Sequence, residues 1–362
     1  MERVNPDFIG RVRKLGAFDA TACYSCGNCT AACPLSEGRS SFPRRMIRYA
    51  LLGLETRIRQ SPELWVCAYC GQCSETCPRE ADPGALMMAL RRYAISRTSL
   101  GRVAGLFYHQ VYSWVLWALL TALATAGVVL AANPRPNLAR AVPLSFIGLD
   151  FLHDLGIGVG VFLFLALAFQ MLALGRSLRP NGETVTPGQW VGGFLKTLVE
   201  DVLLQKKQLT CEKNGRYIAH MAVFWGFMGL LLSTILVFGV DFFGLPEFFR
   251  VVAKVVGITT GAVLVYGCLY YFVERWKAAD SYAKYSHPSD WVFLGLLGLA
   301  GLTGFILDLF MWLNLPWPTY VAFAVHVVLV IDLLVTLPFT KFAHAMYRPL
   351  AIWLAEAGRR RT

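Results

Sequence analysis

Cys23-Tyr24-Ser25-Cys26-Gly27-Asn28-Cys29-Thr30-Ala31-Ala32-Cys33-Pro34 and Cys67-Ala68-Tyr69-Cys70-Gly71-Gln72-Cys73-Ser74-Glu75-Thr76-Cys77-Pro78 share one spacing, C-x-x-C-x-x-C-x-x-x-C-P. Soft thiolate sulfur suits iron, and three such closely spaced cysteines let one loop supply three ligands to one cubane. Two copies predict two [4Fe–4S] clusters. The fourth cysteine, followed by proline, leaves the loop and ligates the other cluster in two-cluster domains. That rule groups Cys23, Cys26, Cys29 and Cys77 on one cluster and Cys67, Cys70, Cys73 and Cys33 on the second. Zinc commonly takes paired C-x-x-C units, so a tight quadruple run repeated twice argues against it. Eight of the ten cysteines lie in these motifs. Free thiolates need a reducing compartment, which argues against a disulfide scaffold and predicts that this end of the chain faces the cytoplasm.

Beyond the motifs the chain changes character. Of its 362 residues 56% are hydrophobic, and the mean hydropathy is positive, as in integral membrane proteins. The N-terminus is polar, without a visible signal peptide, and the first long apolar run begins near Leu106. Apolar runs occur at about 106–132, 155–175, 217–240, 255–273, 291–307 and 317–340, the last containing Asp332. Each is close to the ~20 residues that cross a hydrocarbon core. With their flanks they predict six spanning helices over about 106–132, 149–175, 217–240, 251–273, 289–313 and 317–345. Residues 1–100 form the cluster domain and 101–362 the membrane domain.

The net charge of +11 records topology rather than nucleic-acid binding. Arg176, Arg179, Lys196, Lys206, Lys207, Lys213 and Arg216 lie between runs 2 and 3, and Arg275, Lys277 and Lys284 between runs 4 and 5. The alternate loops hold only Arg135, Arg140, Arg250 and Lys254, while Lys341, Arg348 and Arg359 to Arg361 follow the last run. The bias predicts both termini on the cytoplasmic side of an inner membrane, in agreement with the thiol argument. In the long inner loop, Trp190, Val191, Phe194, Leu195, Leu198, Val199, Val202 and Leu203 repeat at helical spacing, with Lys196, Glu200 and Asp201 on the other face. This predicts an amphipathic helix over about 188–204 at the inner interface or under the cluster domain.

Between the cysteine motifs, Met46, Ile47, Ala50, Leu51 and Leu54 have helical spacing and Ser61-Pro62 marks a helix start. With little alternating β pattern, the expected class is all-α: a helical two-cluster ferredoxin domain followed by a six-helix transmembrane haem b bundle. Arg44, Arg45, Arg48, Arg57 and Arg59 read equally as a docking face for an acidic partner or a solvated helix face.

Histidines supply the haem expectation, because imidazole is a usual axial ligand and polar groups inside a membrane are functional candidates. His326 and His344 are 18 residues apart, five full turns, so a continuous helix would carry both on one face roughly 27 Å apart, with Pro338 as a kink between them. Depth pairs His220 with His344 near the inner surface, with His109 as the alternative inner ligand. His326 lies roughly 13 Å below the outer end of its run at 1.5 Å per residue, and His153 is the histidine nearest that depth. His153 with His326 is thus the expected outer pair, and Gly156, Gly158 and Gly160 after His153 would let a macrocycle approach the backbone. His287, before Pro288, reads as structural, and Cys211 and Cys268 as packing residues. Asp332 within the last run and Asp154 beside His153 are candidate proton-relay carboxylates.

These features resemble known respiratory proteins. Residues 1–100 resemble the iron–sulfur C subunit of heterodisulfide reductase. Residues 101–362 resemble its haem b-bearing E subunit and, more distantly, the gamma subunit of respiratory nitrate reductase. His326 through His344, with Pro338-Phe339-Thr340-Lys341 before the second histidine, is similar to the last haem helix of the gamma family. Ile218-Ala219-His220 resembles its first, which favours His220 over His109. Asp290-Trp291 through Thr303-Gly304-Phe305 also has the look of that membrane protein. Where the gamma family has a second histidine ten residues after the first, Leu230 stands here, so the outer haem must recruit another ligand, His153 by the depth argument. The fusion of both parts is similar to the C subunits of quinone-interacting membrane-bound oxidoreductases. That resemblance implies a quinone or quinol substrate, cytoplasmic flavin/iron–sulfur partner subunits and, beyond them, adenylylsulfate reductase in dissimilatory sulfur metabolism. A heterodisulfide-reductase-like or sulfite-reductase-linked complex is the alternative, and a membrane redox sensor or anchor without quinone chemistry a second one.

Overall fold

The computed structural model describes residues 3–17, 19–36, 41–131, 136–178, 185–210 and 214–358. Arg135, Arg179, Cys211, Lys213, Arg359 to Arg361 and position 132 of the first predicted span lie outside the described residues. All regular elements among the described residues are helical, as the composition and periodicity predict.

The cluster domain is built from α1 (Phe8–Arg13), α2 (Asn28–Ala32), α3 (Arg44–Leu51), α4 (Glu55–Arg59), α5 (Glu63–Val66), α6 (Gln72–Glu75) and α7 (Pro83–Thr98). Helix α7 is the spine. Pro83 fits the first helical position, where its missing N–H costs nothing, and Asp82 caps it by accepting from Ala85 N at 3.0 Å. Nearly every α7 residue is buried, because α1, α3, α5 and α6 pack around it. Met46, Ile47 and Ala50 of α3 turn inward, as their spacing predicts. The arginine cluster divides: Arg45 pairs with Glu63, Arg44 donates to Ser25 Oγ at 3.2 Å, and Arg57 lies 5.6 Å over the Tyr49 ring.

The membrane domain follows as α8 (Ala104–His109), α9 (Tyr112–Ala131), α10 (Pro143–Phe146), α11 (Leu149–Leu178), α12 (Pro187–Lys196), α13 (Lys206–Leu209), α14 (Asn214–Phe243), α15 (Phe248–Lys277), α16 (Ser281–Lys284), α17 (Pro288–Trp312), α18 (Pro316–Thr336) and α19 (His344–Ala357). Five helices are long and apolar enough to cross a membrane: α11, α14, α15, α17, and α18 with the turn after it. Six result if the bent pair Leu100–His109 and Tyr112–Gly127 counts as one span. A multi-pass membrane protein follows from these lengths and from the apolar side chains the bundle leaves outward, such as Phe164 and Leu165.

Helices α14 and α15 form the tightest pair. A side chain at Gly226 would strike the Leu264 backbone at 2.8 Å, and one at Gly267 the Ala219 carbonyl oxygen at 2.8 Å. Only hydrogen at these two positions lets the backbones meet, as small residues do between membrane helices.

Three local expectations change. The first predicted span is not one rod: the chain bends by 116° between α8 and α9, where Gln110 adopts an extended conformation. The Trp114 indole closes that corner by donating to Phe107 O at 3.0 Å. The last span does not run on to His344. Pro338 lacks the N–H a helix needs, and two short 3₁₀ turns, Leu337–Phe339 and Lys341–Ala343, separate α18 from α19. The two histidines therefore sit on different helices rather than one face of one helix. Third, the amphipathic segment is helix α12 followed by a π-helical turn, Thr197–Leu203. Phe194 and Trp190 pack on Trp353 of α19, Val191 and Leu195 remain exposed, and Asp201 is buried in an ion pair with Lys207 at 2.8 Å rather than facing solvent.

Candidate redox site

The two cysteine loops have the same backbone. Each enters its short helix through a glycine at φ +92°, Gly27 before α2 and Gly71 before α6. An L side chain is strained in that region, and one on Gly71 would also meet Ser281 Oγ. The backbone N–H of Ser25 points to Cys23 Sγ at 3.4 Å and that of Tyr69 to Cys67 Sγ at 3.3 Å, donors that favour charge on sulfur. Cys33, Cys67, Cys70 and Cys73 line one cavity between the loops. Cys29 meanwhile lies in the field of Cys23, Cys26 and Cys77. The fourth cysteine of each motif thus stands with the other motif's loop.

Burial pushes the Cys33 thiol up to about 11, with Cys67 and Cys70 adding to the rise. Burial and then the charges of Cys67, Cys70 and Cys33 push Cys73 well above the ordinary thiol range. Four thiolates crowded this way need compensating positive charge, which cluster iron provides, so the donor set fits the cofactor the spacing predicts. Among the described residues no three His, Cys, Asp or Glu side chains are close enough to share one ion.

The second loop is held by the membrane helices. Arg216 at the start of α14 donates to Tyr69 O at 2.8 Å, and Arg348 of α19 reaches Val66 O at 3.5 Å. Arg91 of α7 donates to Leu64 O at 2.8 Å, Trp65 O at 3.1 Å and Cys67 O. Trp65 stacks edge-on against Tyr347 with ring centroids 5.1 Å apart. The first loop is more open, with Cys26 and Tyr24 exposed.

The helices that grip the second loop also carry the facing pair His220 and His344. Their ring centroids are 6.5 Å apart with planes at 64°. His220 Nδ1 is 2.6 Å from Gln205 Oε1, and His344 Nδ1 is 2.5 Å from Lys341 O. With each Nδ1–H donated to an oxygen, each Nε2 keeps its lone pair, the usual arrangement of a metal-binding imidazole. His326 follows the same pattern, with Nδ1 2.9 Å from Thr303 Oγ1 while that hydroxyl donates to Leu299 O. His109 is exposed at the bend after α8 and is not stacked on His344. His153 packs its ring on Phe238 and Phe242, at 5.3 and 5.7 Å, rather than on His326. Backbone space beside Gly156, Gly158 and Gly160 is open. His287 caps α17 by accepting from Ser289 N, the structural role its setting suggests.

A [4Fe–4S] dicluster domain model matches residues 22–81, which contain all eight motif cysteines. The iron–sulfur C subunit of the CoB–CoM heterodisulfide reductase of Methanopyrus kandleri is 37% identical over 74 residues, 18% of this chain and 38% of that protein. The second iron–sulfur C subunit of the Methanocaldococcus jannaschii CoB–CoM heterodisulfide reductase is 29% identical over 124 residues, 32% of this chain and 64% of that protein. The E subunit of the dihydromethanophenazine:CoB–CoM heterodisulfide reductase of Methanosarcina thermophila is 27% identical over 182 residues, 46% of this chain and 67% of that protein. This chain joins a dicluster domain like that of the C subunits to a membrane domain like that of the E subunits. It spans less than two-fifths of the first C subunits it matches, 38% and 35% of their lengths. No solved structure matches it. Two [4Fe–4S] clusters, on the dicluster cysteines, are the cofactors this match supports.

The cluster domain and the membrane helices meet at Asp290. This carboxylate, at the start of α17 and 3% exposed, lies 2.9 Å from Arg92 of α7, 3.0 Å from Lys341 and 3.8 Å from Arg275 of α15. Arg92 also donates to Leu15 O at 2.8 Å. One buried anion therefore ties the cluster domain to three membrane segments, including the Lys341 turn that orients His344. Asp332 is buried beside Trp117 and Thr121 of α9, with Oδ1 lacking a hydrogen-bond partner, whereas Asp154 is exposed.

Gln205 and Thr303 carry no motif. Gln205 reaches His220 because it sits in a left-handed turn (φ +48°) between the π-helical segment and α13. Its only sequence signal is its place in a basic loop just before the His220 helix.

Proposed function

We propose that this chain is the membrane electron-transfer component of a multi-subunit oxidoreductase. It passes electrons between a quinone pool and a cytoplasmic flavin/iron–sulfur partner through two [4Fe–4S] clusters and two haems b. The observation that carries the haem reading is the His220–His344 pair. Two imidazoles sharing one iron through bonds of about 2 Å would have ring centres up to about 6 Å apart, and with rings at 6.5 Å His220 and His344 could hold one iron between them. Haem b bound there supplies a one-electron carrier inside the bundle. His220 and His344 would hold it through Nε2, and Gln205 and the Lys341 carbonyl fix the ring planes.

The cluster on Cys67, Cys70, Cys73 and Cys33 is then the one next to this haem, because Arg216 and Arg348 bind its loop from the two histidine helices. The cluster on Cys23, Cys26, Cys29 and Cys77 faces the soluble partner through exposed Tyr24 and Cys26. His326 and His153 are the proposed ligands of the outer haem, near which quinone binds, and Asp332 is a proton-relay candidate. The cluster domain and both termini face the cytoplasm. Haem content tests the pairing: His220→Ala and His344→Ala should each remove the same one of two haems, and two haems retained in both would refute it.

The fusion supports a complex of the quinone-interacting membrane-bound oxidoreductase kind, with adenylylsulfate reductase beyond it. The likeness to C and E subunits supports a heterodisulfide-reductase-like complex with a different soluble partner. Purification with bound partners separates the two, since each reading names a different associated enzyme.

A further inference from the structure

Where the cluster domain meets α11, three arginines line one open cavity. It encloses about 440 Å³, a size typical of the roughly 300–1,000 Å³ sites that hold small molecules. Arg59 reaches it from the end of α4, Arg97 from the end of α7, and Arg102 from the turn that follows. The opposite wall is one stripe of α11: Ser177, Ala173 and Phe169. Ser177 Oγ donates to Arg59 O at 3.2 Å, which fixes the arginine-bearing turn against the membrane helix.

Charge there is unbalanced. Arg97 has a carboxylate, Glu55, at 3.9 Å and donates to Tyr93 Oη at 3.1 Å. Glu55 also feels the charge of Arg59, so three arginines share one acid, and no hydrogen bond or ion pair within 4 Å holds the side chain of Arg59 or Arg102 among the described residues. The apolar wall then decides the ligand class. Phe169 lies eight residues from Ser177, about 12 Å along the helix at 1.5 Å per residue, and is 49% exposed on a helix long and apolar enough to cross a membrane. A ligand filling this site is anionic at the arginine end and apolar at the Phe169 end.

We propose that the cavity between Arg59, Arg97 and Arg102 and the Phe169–Ser177 stripe binds the phosphate headgroup of an anionic phospholipid, with an acyl chain laid along α11. Basic pockets at the ends of membrane helices take such headgroups, and here the pocket joins the two domains, so the lipid would also fasten the cluster domain to the bilayer. This inference depends on the membrane-spanning helices and not on the haem or quinone reading.

The test uses the full chain, purified in detergent and stripped of lipid, titrated separately with dioctanoyl phosphatidylglycerol, dioctanoyl phosphatidylcholine and inorganic phosphate, with binding read by native mass spectrometry and calorimetry. Phosphatidylglycerol should bind saturably, with the other two at least tenfold weaker. The R59Q/R102Q double variant, at exposed positions outside both cysteine loops, should weaken phosphatidylglycerol binding on the order of tenfold or more, while its cluster absorbance matches the parent. Equal affinity for phosphatidylcholine, or unchanged affinity in the double variant, overturns the proposal. Phosphate binding as tight as phosphatidylglycerol would make this a soluble-anion site and overturn the lipid assignment.

Discussion

Replacing Asp290 by Asn should loosen the cluster domain from the membrane domain more than any other single isosteric change at the junction. The carboxylate side chain is 2% exposed and faces Arg92, Lys341 and Arg275 at 2.9, 3.0 and 3.8 Å. At an effective dielectric of ~20, two unit charges about 3 Å apart attract by roughly 5 kcal/mol before desolvation is subtracted. Removing one partner of a buried pair typically costs about 3–5 kcal/mol, because the remaining charge stays buried and unpaired. Asparagine keeps the shape but leaves three cations facing one another, so the upper half of that range is expected. Tryptophan-fluorescence melts of the purified protein should show a clear fall in midpoint. Limited proteolysis should cut faster in the Ser99–Val103 turn, which links the two parts. The double variant D290N/R92Q should lose less than the sum of the singles, since the two side chains share one interaction. A D290N protein that melts and resists protease like the parent would refute the tether.

Other consequences follow from the same geometry. Cys33→Ala should remove the cluster of the second loop and leave that of the first, taking non-haem iron from about eight to about four per chain, with one paramagnetic signal lost; loss of the first-loop signal instead would reverse the assignment. Gln205→Leu should keep both helices but weaken retention of the inner haem by roughly 10–100-fold, the usual effect of removing a ligand's supporting hydrogen bond, as judged by haem loss on dilution. Acidification should also act through His287. Burial, with Arg92 adding, pushes its imidazole down to about 4, so as pH falls below the ordinary value near 6.5 the unfolded chain takes up the proton first. Stability from this group is present above pH ~6.5 and lost between about 6.5 and 4, so H287N, which retains a capping side chain, should show a flatter midpoint against pH over that window.

The parts written locally in the chain were legible in it. Eight cysteines at fixed spacing announce clusters because one loop must supply three ligands at once, and Gly27 and Gly71 complete that loop in place. Five apolar runs of about 20 residues announce single helical spans, because a helix satisfies every backbone group within its own segment. Depth brought His220 and His109 to His344 as rivals, and the resemblance of Ile218-Ala219-His220 to a haem helix favoured His220. The rest depends on distant residues. Asp290 meets Arg92 198 positions away, and nothing near either residue marks the pairing. Gln205 reaches His220 only through a left-handed residue after a π-helical turn. Pro338 signalled a kink, yet the chain leaves α-helical geometry for seven residues there, in two 3₁₀ turns, and this turns the Lys341 carbonyl toward His344. A run of apolar residues likewise could not announce the bend after His109, because a Trp114–Phe107 contact makes it.

The most direct test of the electron path is anaerobic addition of a short-chain menaquinol or ubiquinol to the purified chain, with haem b followed optically and the clusters by electron paramagnetic resonance. The proposed wire predicts reduction of haem b by quinol, reversed by quinone, and communication with the clusters that His220→Ala interrupts while leaving their signals chemically reducible by dithionite. Absence of haem b bands, or haem that no quinol reduces, would contradict it.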